Sequence, residues 1–347
     1  MSKNVLVTGR HSLLAHYLMS DENVQFYKYT HDQLDITSFR SIVVAIDNGN
    51  FKPGDVILNC AAYTDVAKAE SADELLTVRR INEEGPRNLA EACRHYGLSL
   101  IHISTDYVYD GKLSECSCGY SHNTHSEREL PLNEYGISKL NGEREILNLM
   151  PFADFPLVVR TSGLYGENGA KKTFLHRVLT KFLTKEITEV PIFYDQLTWF
   201  TYAKHLAMWL KAYIAADDYL KRDIQAKYGP VLNVVNGPSY DRLMRHLTYF
   251  VEKYLDFMGL EDLKWKIKGV PFPEDSVCPD GIRRPKNSTL FCEIDNDKDF
   301  SERLGYKMPT AEQALRDFCL NNYRTLIQQA KTSISLAGNH SEHVDLY

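Results

Sequence analysis

The 347-residue chain is 44% hydrophobic and 25% charged, enough apolar content for a large core in one large or two intermeshed domains. Its net charge of −6 gives no basis for nucleic-acid or acidic-membrane binding, and no apolar run reaches transmembrane length. Seven cysteines, scattered among apolar neighbours (Cys60, Cys93, Cys292, Cys319), read as reduced thiols, and the chain enters its first strand with no signal-peptide pattern, so the expected location is the cytoplasm.

Residues 4–8 read as a short buried strand, followed at once by Gly9 and a helix starting at Leu13. Further strands are predicted at 24–29, 55–59, 98–103 and 157–160, separated by helical patterns, chiefly 71–96 and 133–149. This alternation predicts an α/β fold with right-handed βαβ units and a Rossmann-type, doubly wound parallel sheet. Beyond residue 166 the pattern turns mixed, with helices at 173–183, 202–215 and 240–257 and strands at 190–194 and 231–235. The expected layout is a dinucleotide-binding domain over 1–165, with returning segments near 190–216 and 228–236. An intermeshed substrate lobe follows over 166–330, then a mobile tail over 331–347. A Pro-rich charged loop at 271–286 is expected to close over a ligand.

In such a sheet ligands bind beyond the carboxyl ends of the strands, so the residues after each strand carry the functional information. After the first strand come Gly9, Arg10, His11, Ser12, Leu13, Leu14 and Ala15. A dinucleotide fingerprint wants small residues at 9, 12 and 15; Gly9 and Ala15 comply, and Ser12 replaces the middle glycine. The second strand ends in Lys28, Tyr29, Thr30 and His31 without a carboxylate for a ribose 2′-hydroxyl, and Arg10 lies nearby. That cationic corner suits a 2′-phosphate, hence NADPH over NADH. The third strand ends in Asn59-Cys60-Ala61-Ala62-Tyr63-Thr64, small residues beside which a cofactor can lie. The fourth ends in Ser104-Thr105-Asp106-Tyr107-Val108. Tyr135 and Lys139 are spaced i, i+4 near the start of a helix, which puts phenol and ammonium on one face. The cation is expected to draw the phenol pKa down. A hydroxyl, a phenol and an ammonium at one crevice form a constellation for carbonyl reduction.

These segments, with Lys68-Ala69-Glu70, Asn82-x-x-Gly85-Pro86-Arg87-Asn88, Pro131-Leu132-Asn133-x-Tyr135-Gly136-x-Ser138-Lys139, Arg160-Thr161-Ser162, Asp195-Gln196 and Arg284-Pro285-x-Asn287-Ser288, carry a resemblance. From about residue 4 to about 325, the chain resembles the dTDP-4-dehydrorhamnose reductase family of extended short-chain dehydrogenases/reductases, within the NAD-dependent epimerase/dehydratase-like superfamily. The resemblance implies that Thr105, Tyr135 and Lys139 are catalytic. It implies an NADPH site made by Gly9, Arg10, His11, Ser12, Leu13, Leu14, Thr30, His31, Asp35, Ile36, Cys60, Ala61, Ala62, Tyr63, Asn82, Ser104, Tyr135 and Lys139. On the substrate side it implies Thr105, Asp106, Tyr107, Val108, Tyr135, Arg160, Gln196, Arg284 and Asn287. The implied reaction is hydride transfer to C4 of a nucleoside-diphosphate 4-keto-6-deoxy sugar, for deoxysugar and surface polysaccharide biosynthesis.

Departures at Ser12, at Tyr63-Thr64-Asp65-Val66-Ala67 and at Thr198 and Phe200 leave the sugar and nucleoside open, with GDP- or UDP-linked sugars and heptoses included. A nucleotide-sugar substrate is expected, no nucleic-acid or membrane partner, and a homodimer as the candidate assembly. An alternative class is an NADP-binding regulatory subunit resembling that of methionine adenosyltransferase. A dehydratase is disfavoured because Asp106 is followed by Tyr107 rather than an acid. Cys116-x-Cys118-x-x-x-His122-x-x-His125 lacks the Cys-x-x-Cys spacing of structural zinc, so no metal is expected, and 112–130 reads as a mobile cover over the sugar pocket.

Overall fold

A computed structural model of the protein describes residues 2–115, 117–150, 156–167, 173–184, 187–237 and 242–337. Its strands are β1 (Lys3–Thr8), β2 (Val24–Lys28), β3 (Val56–Asn59), β4 (Ser99–Thr105), β5 (Leu157–Thr161), β6 (Val190–Phe193), β7 (Val231–Asn233) and β8 (Ile267–Val270). The helices through the first half are α1 (Leu13–Tyr17), α2 (Phe39–Asn48), α3 (Leu75–Arg79), α4 (Gly85–Tyr96), α5 (His122–His125) and α6 (Glu134–Leu149). Then come α7 (Phe174–Leu183), α8 (Ala203–Ala215), α9 (Asp218–Tyr228), α10 (Leu247–Phe257), α11 (Glu293–Asn296), α12 (Lys298–Leu304) and α13 (Ala311–Ala337).

Six strands form a parallel sheet in the order β2-β1-β3-β4-β5-β7. The order reverses between β1 and β3, and the crevice at such a switch point is where ligands bind. Alternation along β1 divides the core: Val5 and Val7 face α1, α8 and α9, and Leu6 faces α2 and α4. A third core, rich in aromatics, is built by α7, α10, α13 and β6 around Phe250, Tyr254 and Phe318.

Where expectation and structure differ, the reasons are local. Residues 71–96 are not one helix: a five-residue π-helical turn, Arg80–Glu84, separates α3 from α4. Such an insertion shifts the phase of the 3.6 period but leaves a helical pattern on both sides, so the pattern does not mark the boundary. The predicted strand at 190–194 does not rejoin the main sheet; β6 pairs with β8 in a second, two-stranded parallel sheet. Helices α2, α9, α12 and α13 were not predicted, and α13 carries helical structure through Ala337, into the segment expected to be a mobile tail. The rest of that tail, 338–347, lies outside the described residues, as do residues 240 and 241 of the predicted helix at 240–257; α10 itself starts at Leu247. No helix among the described residues is long and apolar enough to cross a membrane.

Candidate active site

Gly9 ends β1 with φ +67°, and a Cβ there would lie 2.9 Å from the Ala61 backbone nitrogen. Only glycine therefore lets the first turn pass this close to the tip of β3. Ser12, the departure from the glycine pattern, caps α1 by accepting at its hydroxyl from Ala15 N (3.2 Å). Arg10, His11, Ser12, His16 and Lys28 line an open cleft of about 440 Å³ beside this turn. Such a donor set, rich in cations and free of carboxylates, fits a phosphate-bearing cofactor. Lys28 belongs to the cationic corner expected at the end of β2, whereas His16 was absent from the expected cofactor set and could have been found from helical phase. Thr30 is bonded to Gln33 Oε1, and exposed His31 stands 3.8 Å from Asp35. The Asp35 carboxylate caps Thr37 (2.9 Å to N), Ile36 is buried and its carbonyl accepts from Asn88, and Leu14 is core, so these three hold the turn's shape rather than present polar side chains. Leu13 is partly buried at the start of α1.

At the tip of β3, Cys60 and Ala62 are partly buried, and Ala61 N donates to Thr8 Oγ1 (3.1 Å). Asn82, on the π turn, receives Tyr63 N at its side-chain oxygen (2.9 Å) and donates to Tyr63 O (3.1 Å) and Ser138 Oγ (3.0 Å). One side chain thus fixes the β3 loop against α6.

Helix α6 starts where Asn133 accepts from Gly136 N (2.8 Å). Gly136 has no Cβ because the Tyr107 carbonyl occupies that space. This contact sets the tip of β4 against the first turn of α6, and the Tyr107 and Tyr135 rings meet edge to face at 5.9 Å. Thr105 Oγ1 accepts from Tyr107 N, donates to Asp106 Oδ1 (both 3.2 Å) and is within hydrogen-bond reach of the Tyr135 phenol. Asp106 is buried with hydroxyl partners from Ser288, Thr105 and Thr198; burial pushes its carboxyl up to about 6. Thr198, another departure, therefore touches the site through Asp106 (3.5 Å).

Lys139 is turned inward, donating to Ile103 O (2.7 Å) with its nitrogen 3.0 Å from His102 Nε2. The expected lowering of the Tyr135 pKa is not found. Burial pushes the phenol up to about 12, Thr105 pulls it down and Asp106 pushes it further up. Burial also lowers Lys139 to about 8, against the opposing pull of Glu143 and Cys60.

Several expected ligand contacts are committed elsewhere. Arg160 is 1% exposed and is bonded to Glu143 Oε2 (2.5 Å), Glu129 Oε1 (2.8 Å) and Tyr109 Oη (2.8 Å). Ser104 donates to the same Glu143. Val108 is fully buried in the aromatic core. Asn287 donates to Leu113 O (3.0 Å) and accepts from Thr289 N, pinning the loop at 112–130. That loop is also held by Tyr120 and Arg128 on Asp110 (2.7 and 3.1 Å) and by Arg245 on Glu115 O and Ser117 O, which is not the arrangement of a free cover. Arg284 grips Asp280 through both terminal nitrogens (2.6 Å each) beside Tyr107, and Gln196 is partly buried with its carbonyl accepting from Leu247 N. His122 bonds Glu129 (2.8 Å), Cys116 lies outside the described residues, and no metal-holding cluster occurs among those described.

The RmlD substrate binding domain model matches residues 3–324. A dTDP-4-keto-6-deoxy-D-glucose reductase of Streptomyces niveus is 32% identical over 195 residues, 55% of this chain and 62% of that protein. A dTDP-4-dehydrorhamnose reductase of Mycobacterium tuberculosis (strain ATCC 25618 / H37Rv) is 36% identical over 177 residues, 50% of this chain and 54% of that one. These alignments thus span less than two thirds of the curated relatives' length. The crystal structure of a dTDP-4-dehydrorhamnose reductase from Bacillus anthracis str. Ames, in complex with NADP, superposes with a TM-score of 0.72 at 27% identity, over 92% of this chain and 100% of that one.

Proposed function

The chain belongs to the RmlD substrate binding domain family, and from that membership we propose that it is an NADPH-dependent C4-reductase of a nucleoside-diphosphate 4-keto-6-deoxy sugar. The observation that supports the reading is the placing of Thr105 at the tip of β4 within hydrogen-bond reach of Tyr135 on α6, with Lys139 one turn further along that helix. The Bacillus anthracis relative crystallised with NADP and the cationic cleft beside Gly9 support the cofactor.

Arg10, Ser12 and Lys28 would hold the phosphates of NADPH, whose reduced nicotinamide would supply the hydride. The sugar's keto oxygen takes hydrogen bonds from Thr105 and Tyr135. As negative charge builds on that oxygen, Tyr135 hands over its proton and Thr105 stabilises the remaining charge. The reading extends to a cytoplasmic enzyme of activated deoxysugar and polysaccharide synthesis, working as a homodimer, which sedimentation would test.

The test of function is NADPH oxidation with dTDP-, GDP- and UDP-linked 4-keto-6-deoxy sugars and a heptose analogue. Turnover of one of them is expected. Tight NADPH binding with no turnover of any would overturn the reductase reading and favour the NADP-binding regulatory subunit.

A further inference from the structure

Behind the catalytic helix a chain of buried polar groups runs from β1 to α6. Thr8 Oγ1 donates to Asn59 Oδ1 (2.6 Å), and the Ala61 backbone N–H reaches both Thr8 Oγ1 (3.1 Å) and Asn59 Oδ1 (3.2 Å). A peptide N–H only donates, so the Asn59 atom facing it is the oxygen and the NH₂ group points the other way. That NH₂ lies 2.9 Å from His102 Nδ1. An amide NH₂ also only donates, so Nδ1 is the bare, accepting nitrogen. A neutral imidazole then carries its proton on Nε2, which faces Lys139 Nζ at 3.0 Å. An ammonium has three donors and no lone pair to receive that proton; an amine has one.

We propose that His102, fixed in its Nε2–H form by Asn59, is a positioning residue that favours the neutral amine of Lys139 in the cofactor-free protein, so that NADPH binding above neutral pH takes up a proton at Lys139. The inference rests on the functional reading above. Ribose hydroxyls offer lone pairs and cofactor phosphates offer negative charge, and both favour the ammonium. The balance is simple: amine plus a proton from solvent gives ammonium, and His102 stays neutral. The surroundings agree. Burial holds His102 well below its usual range, which keeps it neutral whether Lys139 is amine or ammonium.

The other groups facing Lys139 do not fix its charge. Cys60, from the β3 tip, is pushed by burial up to about 12 and stays a thiol, with Lys28 acting on it from β2. Glu143, from α6, is already paired with Arg160. Tyr135, also on α6, is a neutral phenol, and Ile103 O on β4 accepts equally from amine or ammonium.

The experiment is calorimetric titration of the purified protein with NADPH, in two buffers of different ionisation enthalpy, at pH 6.5 and pH 8.5. Wild type should take up clearly more protons at pH 8.5 than at pH 6.5, by up to one per site. His102→Gln should bind NADPH but lose at least half of that excess, because a glutamine oxygen can accept from the ammonium. His11 and His16 line the cleft in both proteins, so their share cancels in the difference. Lys139→Met provides the zero. Equal uptake by wild type at the two pH values overturns the inference without any variant, as does an unchanged excess in a folded His102→Gln. No NADPH binding at all would instead overturn the functional reading on which the inference stands.

Discussion

Two buried ionic clusters hang from the same helix, one turn apart, and they are built on opposite terms. Around Glu143, every partner finds its complement: Arg160 bridges Glu143 and Glu129, Ser104 and Tyr109 fill the remaining sites, and His122 closes the outer end. Burial raises Glu129, yet His122 and Arg160 bring it down to about 2, so it is charged at any working pH. Around Lys139 and Tyr135, complements are fewer: among the described residues Lys139 is bonded to His102 and the Ile103 carbonyl rather than in a salt bridge, and the side-chain partners of Asp106 are hydroxyls. Satisfied groups hold a shape; unsatisfied ones can exchange protons. The difference separates scaffold from chemistry within one layer of side chains.

The largest effect should come from the reactive cluster. Tyr135→Phe is expected to lower kcat by roughly a hundred- to ten-thousand-fold, with an unchanged melting temperature and nearly unchanged NADPH binding. A variant that turns over at the wild-type rate would break the comparison at once. On the scaffold side, Arg160→Met strands two buried carboxylates and should cost about 3–5 kcal/mol in urea unfolding. A loss below about 1 kcal/mol would mean that the Arg160 pairings are solvated after all.

Asp106→Asn sharpens the contrast through its sign. The native carboxyl holds its proton up to about pH 6, against an ordinary value of 3.8, so the folded state binds more protons between these values. Wild-type stability should therefore fall as pH rises through that window, by on the order of 3 kcal/mol at most. Asp106→Asn should gain on wild type by that amount between pH 4 and pH 7 while losing activity. Melting curves with parallel pH dependence would refute it. The smallest effect belongs to an exposed residue outside both clusters: Arg10→Ala should weaken NADPH about tenfold, NADH much less, and equal losses would remove Arg10 from 2′-phosphate recognition.

Much of this was legible in the sequence because β-strand and helix periods report position. The parallel, doubly wound sheet, the Tyr135–Lys139 face and the hydroxyl at the end of β4 follow from alternation and i, i+4 spacing. What alternation cannot report is which neutralising partner waits across the layer. Arg160 sits at a strand end, where a ligand contact was the expectation, yet its side chain faces Glu143, seventeen residues earlier in the chain. Asn287 and Ser104, expected at the ligand, likewise have partners within the chain that alternation does not reveal. Lys139 was expected to act outward on Tyr135; its inward turn depends on His102, whose place in the middle of an apolar strand reads as mere filling.

The π-helical turn at Arg80–Glu84 has a consequence for how this chain can change. Such a turn holds one residue more than the α-helix it interrupts. Deleting any single residue there would close the wide turn into a regular α-helical one joining α3 to α4, because the bulge is what absorbs the extra residue. Asn82 would leave Tyr63 and Ser138 together, and the close seat of Gly142 against the Asn82 carbonyl would be lost with it. Point substitutions can therefore drift through this stretch, but a one-residue length change cannot; frameshift-free deletion libraries should show a sharp gap at 80–84 flanked by tolerant surface loops.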